Sequence, residues 1–131
     1  MGEFSLKEID EIEGKRIIYK MSIDGNCLFE QFENEIEEIG QYEEELSTIF
    51  AHIEDFSNQV MLPKSKFRIL NKGVKKDRVK EYEFKSKHLR VYGIKASSGS
   101  IIILGGYKST QKSDINRLKK IKTEYIKTLS K

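Results

Sequence analysis

Val79–Lys108 reads VKEYEFKSKHLRVYGIKASSGSIIILGGYK. β-Branched and aromatic residues recur through it: Val91, Tyr92, Ile94, Ile101, Ile102 and Ile103. Such side chains fit a pleated, half-buried surface. Two polar breaks divide the run, Ser86–Lys87–His88 and Ser97–Ser98–Gly99, and both have turn chemistry. The stretch is predicted to form a three-stranded antiparallel meander over Tyr82–Lys85, Leu89–Ala96 and Ser100–Gly105. No GK[ST] follows Gly105–Gly106, which reads as a bulge at a strand end rather than a phosphate loop. Lys80, Lys85, Lys87, Arg90, Lys95 and Lys108 line the meander. Basic side chains on a sheet suit an RNA-handling protein and equally any solvated sheet.

Downstream, Ser109–Ser113 is a polar loop and a helix is predicted from Asp114 to Leu129, capped by Ser113. Ile115, Leu118, Ile121, Tyr125 and Leu129 make its apolar face, with Arg117, Lys119, Lys120, Lys122 and Lys127 outside. Upstream, Pro63 stops helical structure, and Lys64–Arg78 is a basic segment with a turn at Asn71–Lys72–Gly73. That segment is either a lysine-rich surface loop or a phosphate-contacting arm.

Before it, Leu28, Phe32, Ile36 and Ile39 form one helical stripe. Tyr42, Leu46, Ile49, Phe50, Ile53 and Phe56 form a second, and Gly40 between them closes a helical hairpin. His52 reads as structural, and Glu43–Glu44–Glu45 as a solvated helix face. Arg16–Ile23 alternates as a strand, with Ile17, Tyr19, Met21 and Ile23 on its buried side. Met1–Gly14 is charged and expected to be loose. The order is strand, helix, helix, basic arm, three-strand meander, helix. The fold class is α+β, a helical hairpin packed on a small, mostly antiparallel twisted sheet.

At 131 residues the chain is expected to be a single domain, residues 1–131, with a proper core. It has no apolar run of the ~20 residues a membrane span needs, and its N-terminus is too acidic for a signal peptide. The lone Cys27 permits no intrachain disulfide and fits a reduced, cytoplasmic compartment. It reads as a buried small residue rather than a nucleophile. Residues 1–60 carry four Lys and Arg against 16 Asp and Glu, a charge of −12. Residues 61–131 carry 20 against five, a charge of +15, beneath a net +3. Such a split means that one surface meets an anion, that the halves attract each other, or both.

The segment YEFKSKHLRVYGIKASSGSIIILGGYKSTQKSDINRLKKIKTEY, Tyr82–Tyr125, resembles the C-terminal half of RelE/ParE-superfamily toxins, and within them the HigB-like branch. The resemblance rests on an ordered set of features. Glu83–Phe84–Lys85 ends one strand, Leu89–Arg90–Val91–Tyr92 opens the next, and Ile101–Leu104 runs through Gly105–Gly106 to Tyr107–Lys108. Gln111–Lys112 then opens the final helix. It implies a β-α-α-β-β-β-α fold and the toxin of a type II toxin–antitoxin pair. That toxin is a ribosome-dependent endoribonuclease that cuts messenger RNA. The implied partners are a small DNA-binding antitoxin, the ribosome and mRNA. The alternatives are a toxin of the same fold that poisons DNA gyrase, and a non-catalytic RNA- or protein-binding module. The N-terminal half is longer and more acidic than is usual in these toxins. No clear counterpart appears of the Tyr or His that some relatives place near the C-terminal end.

Cleavage by a 2′-hydroxyl needs a base, cations on the phosphorane and an acid for the leaving oxygen, with no metal or other cofactor required. Arg90 is expected on the open face of the sheet, forking onto the phosphate, unless it pairs with Glu81 or Glu83. Lys108 is a candidate for phosphate stabilisation or acid work, Lys85 lies on the neighbouring strand, and His88 is a candidate base at a turn tip. Lys87, Lys112, Lys75, Lys76, Arg78 and Lys80 are expected to hold the RNA backbone or the ribosome.

Overall fold

In the computed structural model, which describes residues 2–97 and 99–129, the chain is α+β, with three helices and a six-stranded mixed, twisted sheet. The strands are β1 Phe4–Glu8, β2 Ile18–Ile23, β3 Phe67–Ile69, β4 Lys80–Lys85, β5 Leu89–Ala96 and β6 Gly99–Tyr107. The helices are α1 Leu28–Ile39, α2 Glu43–Ser57 and α3 Gln111–Leu129. The sheet order is β1-β2-β6-β5-β4-β3, with β2 and β6 parallel and every other pair antiparallel. The meander stands as β4-β5-β6, although Ser98 of its second turn lies outside the described residues.

Both faces of this sheet are covered. Phe29, Phe32 and Ile36 of α1 and Ile49 and Ile53 of α2 pack on Ile18, Tyr82, Phe84, Leu89, Val91 and Ile102. Leu118 and Tyr125 of α3 pack on Met21, Tyr92, Ile94, Ile101, Ile103 and Leu104. The central strands therefore read as unbroken apolar runs because alternate residues are buried against different helices. Fully burying one such side chain contributes about 1.5–3 kcal/mol. Ile103 is an extra residue, since Tyr92 pairs with Leu104 while Gly93 pairs with Ile102. This bulge keeps Ile103 and Leu104 under α3, and it sits here rather than at Gly105–Gly106. Those glycines stay paired with Val91 and Arg90. An added Cβ would lie 2.2 Å from the Phe32 ring at Gly105 and 2.0 Å from the Asp114 carboxylate at Gly106.

Several sequence-based expectations are corrected. Met1–Gly14 is not loose over its described part: β1 pairs with β2, and Phe4 meets Tyr125 edge-on with ring centres 5.5 Å apart. Its high charge masked the alternation of Phe4 and Leu6. Ile17 precedes the strand and is 53% exposed, whereas Ile18 is buried. The basic segment contains β3, an edge strand whose Phe67 joins Phe56, Tyr82 and Phe84. Ile39 and Leu129, placed on apolar faces, are exposed at helix ends. Lys122 points inward, not outward, because the carboxylates of Glu81 in β4 and Asp77 in the loop before it receive it. The last helix begins at Gln111 after a 3₁₀ turn over Lys108–Thr110, so Ser113 does not cap it and its hydroxyl donates instead to the Thr110 carbonyl. Gly40 does close α1, with φ 73° and its N–H donating to the Ile36 carbonyl. Cys27 and His52 are buried; burial pushes the Cys27 thiol up and the His52 imidazole down.

Candidate functional site

Two polar clusters meet where β4 turns into β5, one on each face of the sheet. On the α3 face, Arg68 lies opposite Glu83, Glu83 opposite Tyr92, and Lys85 opposite Arg90. Tyr82 and Phe84 point to the hairpin, so the period of two sends Glu81, Glu83 and Lys85 the other way. Glu83 is fully buried and accepts from Gln111 Nε2 at 2.7 Å. Its Oε1 takes Arg68 Nε at 3.2 Å and Nη2 at 3.1 Å.

Arg90 is not on an open face. It is buried, and its Nη1 donates to the carbonyls of Ser86 at 2.6 Å and Leu89 at 2.8 Å. Its Nε lies 4.0 Å from Glu83 Oε2, too long for a hydrogen bond, and has no other partner. The Tyr92 hydroxyl beside it is likewise buried without a well-directed hydrogen bond. Burial raises that phenol's pKa, and the Glu83 charge adds to the rise. Buried polar atoms left unpaired cost about 1–3 kcal/mol each, so two of them around one carboxylate call for a reason. Lys85 is half-buried at the rim, and its pKa is lowered. Burial is the main cause; Arg68 and Arg90 add to it and Glu83 opposes.

On the hairpin face, the β4–β5 turn is tied to α2. Glu45 accepts from Ser86 Oγ at 2.6 Å and from the His88 backbone N–H at 2.7 Å. Its other oxygen lies 2.7 Å from His88 Nδ1. Burial alone would raise the Glu45 carboxyl, but these hydrogen bonds outweigh it and bring the carboxyl to about 2. Glu45 is thus a tether and not part of a solvated helix face, and His88 is turned toward α2 rather than grouped with Arg90. Tyr42 packs on His88 and Tyr107, and the Tyr107 hydroxyl donates to Glu35.

The predicted residues divide into two groups. Lys85, Lys87, His88, Arg90, Lys108 and Lys112 gather at this end, with Lys108 held next to the turn by its backbone N–H on the His88 carbonyl at 2.8 Å. Lys75, Lys76, Arg78 and Lys80 lie at or before the start of β4, five residues or more from Lys85, or roughly 17 Å along the strand. Near them, Asp77 and Glu81 enclose the Lys122 ammonium, which lies 2.8 Å from Glu81 Oε2, while Lys119 sits 2.5 Å from Glu81 Oε1. Burial would raise the Asp77 carboxyl, but the bonds from Lys122 and Asn71 hold it below the usual carboxylate range.

Sequence reasoning missed Arg68, Gln111, Tyr42, Tyr107 and Glu45 as members of this end. The alternation Glu81, Glu83, Lys85 against Tyr82, Phe84 was a readable signal for a charged face. Arg68 was hidden in the basic segment. No family model, curated protein or solved structure matches the chain.

Proposed function

We propose that the chain acts on RNA at the β4–β5 end of its sheet, as a RelE- and HigB-like endoribonuclease toxin. The observation that carries this reading is Lys85, a lysine with a lowered pKa packed near Arg68 and Arg90. Such a lysine gives up its proton more readily than an ordinary one, which suits a proton-transfer role. Arg68 and Arg90 supply positive charge for a pentavalent phosphorane, and Lys108 and Lys87 extend it along the RNA backbone. The RelE order β-α-α-β-β-β-α fits this chain if β1 and β3 are taken as additions at the two sheet edges. The ribosome, mRNA and a cognate antitoxin are the partners this reading brings with it.

A second reading is favoured by Arg90 itself. Its guanidinium is buried and partly committed to two backbone carbonyls, as in a non-catalytic RNA-binding module that uses the same basic surface. Expression of the chain alone separates the two. The nuclease reading expects growth arrest, with primer extension showing cuts inside translated messages. Arrest with intact messages and accumulating gyrase–DNA breaks would point to a gyrase poison. Absence of arrest and of cuts would leave the binding module.

A further inference from the structure

Three rings gather on the hairpin face, across the sheet from Lys85. Tyr42, at the start of α2, has its ring centre 5.1 Å from that of His88 and 6.1 Å from that of Tyr107. With Lys108 and Ser109 these three rings line an open hollow of about 530 Å³. Two of the rings are tied by a polar edge: Tyr107 donates to Glu35, and His88 Nδ1 meets Glu45. Phe32 backs Tyr107 with ring centres 5.8 Å apart. The rings are therefore held before any ligand arrives and lose little further freedom on binding. Lys108 lines the hollow, Lys87 precedes His88 in the turn, and both are exposed and make no ion pair among the described residues. Of the acids near these rings, Glu35 takes the Tyr107 hydroxyl and Glu45 meets His88, while Glu43 and Glu44 follow Tyr42 on the exposed start of α2.

We propose that this hollow is a stacking subsite for one nucleobase of single-stranded RNA, with the flanking phosphates on Lys108 and Lys87. The proposal rests on the RNA-directed reading and adds a binding surface on the opposite face of the sheet from Lys85. Fixed aromatic faces beside free cations are the combination that single strands use, and stacking of this kind tolerates any base. The subsite anchors the strand while the neighbouring backbone passes around the β4–β5 turn.

The test is fluorescence anisotropy with a short labelled single-stranded RNA and with an abasic ribose-phosphate oligomer of equal length. Tyr42→Leu is expected to weaken RNA binding about tenfold, the scale of losing one stacked base, and to leave abasic binding unchanged. Tyr42→Phe keeps the ring and is expected to bind as the wild type does. His88→Ala, at the exposed turn, removes a second ring without entering the core and is expected to weaken RNA binding as well. It carries the test alone if Tyr42→Leu fails to fold in a parallel melt. Wild-type affinity in both ring-deleted proteins overturns the subsite, as does equal affinity of the wild type for RNA and the abasic oligomer. Both results leave the RNA reading standing. No binding of RNA by the wild type sinks the subsite and the RNA reading together.

Discussion

The two faces of the sheet are held by different chemistry. The helical hairpin is seated by rings and aliphatic groups: Phe56, Phe67, Tyr82 and Phe84 form a tilted and edge-on cluster at 5.1–5.8 Å, and Ile49 and Ile53 are fully buried. Under α3 the apolar contacts of Ile115, Leu118, Ile121 and Tyr125 are interspersed with polar ones. Gln111 bonds Glu83 near its start, and Lys119 and Lys122 bond Glu81 and Asp77 further along. Apolar packing has no charge to titrate or screen, whereas a helix docked by ion pairs responds to pH and is weakened by salt screening. The polar face is also the one that carries Lys85 and the two unpaired buried atoms. The α3 face buries charge at Glu81, Glu83 and Lys122, whereas the hairpin face keeps its Glu45–His88 pair at the partly open turn.

The contrast makes graded predictions for stability, each read as a chemical melt. Phe84→Ala removes a fully buried ring from the hairpin face and is expected to cost about 3–5 kcal/mol. A loss below about 1 kcal/mol would mean that the hairpin is not seated on that cluster. Lys122→Met on the α3 face leaves Glu81 and Asp77 without the ammonium they enclose, and about 3 kcal/mol is expected. If apolar contacts alone held α3, the same change would be neutral or stabilising, and the contrast between the faces would fail.

The smallest effect concerns the tether between α2 and the β4–β5 turn. The Glu45 carboxyl is held at about 2 against an ordinary 4.5. Its contribution is therefore complete above about pH 4.5 and is lost as pH falls toward 2. In Glu45→Gln that part of the acid-unfolding curve should flatten, by about 1 kcal/mol after screening at this partly open turn. An acid limb identical to the wild type's would mean that the tether does not form in solution.

How much of this was legible follows from the type of signal. Period-two and helical patterns located the meander, both hairpin helices and α3, because each has one strongly apolar face. The same patterns hid β1 and β3, which are edge strands of five and three residues, too short for a period to stand out among their charged neighbours. They also hid the third layer, since a strand buried on both sides looks like a run and not an alternation. At the site, the sequence placed Lys85, Lys87, His88 and Arg90 at one turn, and they are there. It could not tell which way each points. His88 and Arg90 are two residues apart, yet Glu45 on α2 draws one to the hairpin, while the Ser86 and Leu89 carbonyls hold the other near Glu83. Those partners are distant in sequence or belong to the backbone, where no residue pattern records them.

Lys85 is the residue on which the account turns. The direct measurement is single-turnover cleavage of ribosome-bound mRNA across a pH series, comparing wild type with Lys85→Met and Lys85→Arg beside a melt of each. Substitution of this rim residue should change stability by about 0.5 kcal/mol or less. Lys85→Met is expected to slow cleavage by about 10²–10⁴ and to remove a wild-type titration below the ordinary lysine value of 10.5. Lys85→Arg, which keeps the charge but cannot give up its proton, should not restore the rate. Cleavage by folded Lys85→Met at the wild-type rate and with the wild-type pH profile would contradict the assignment.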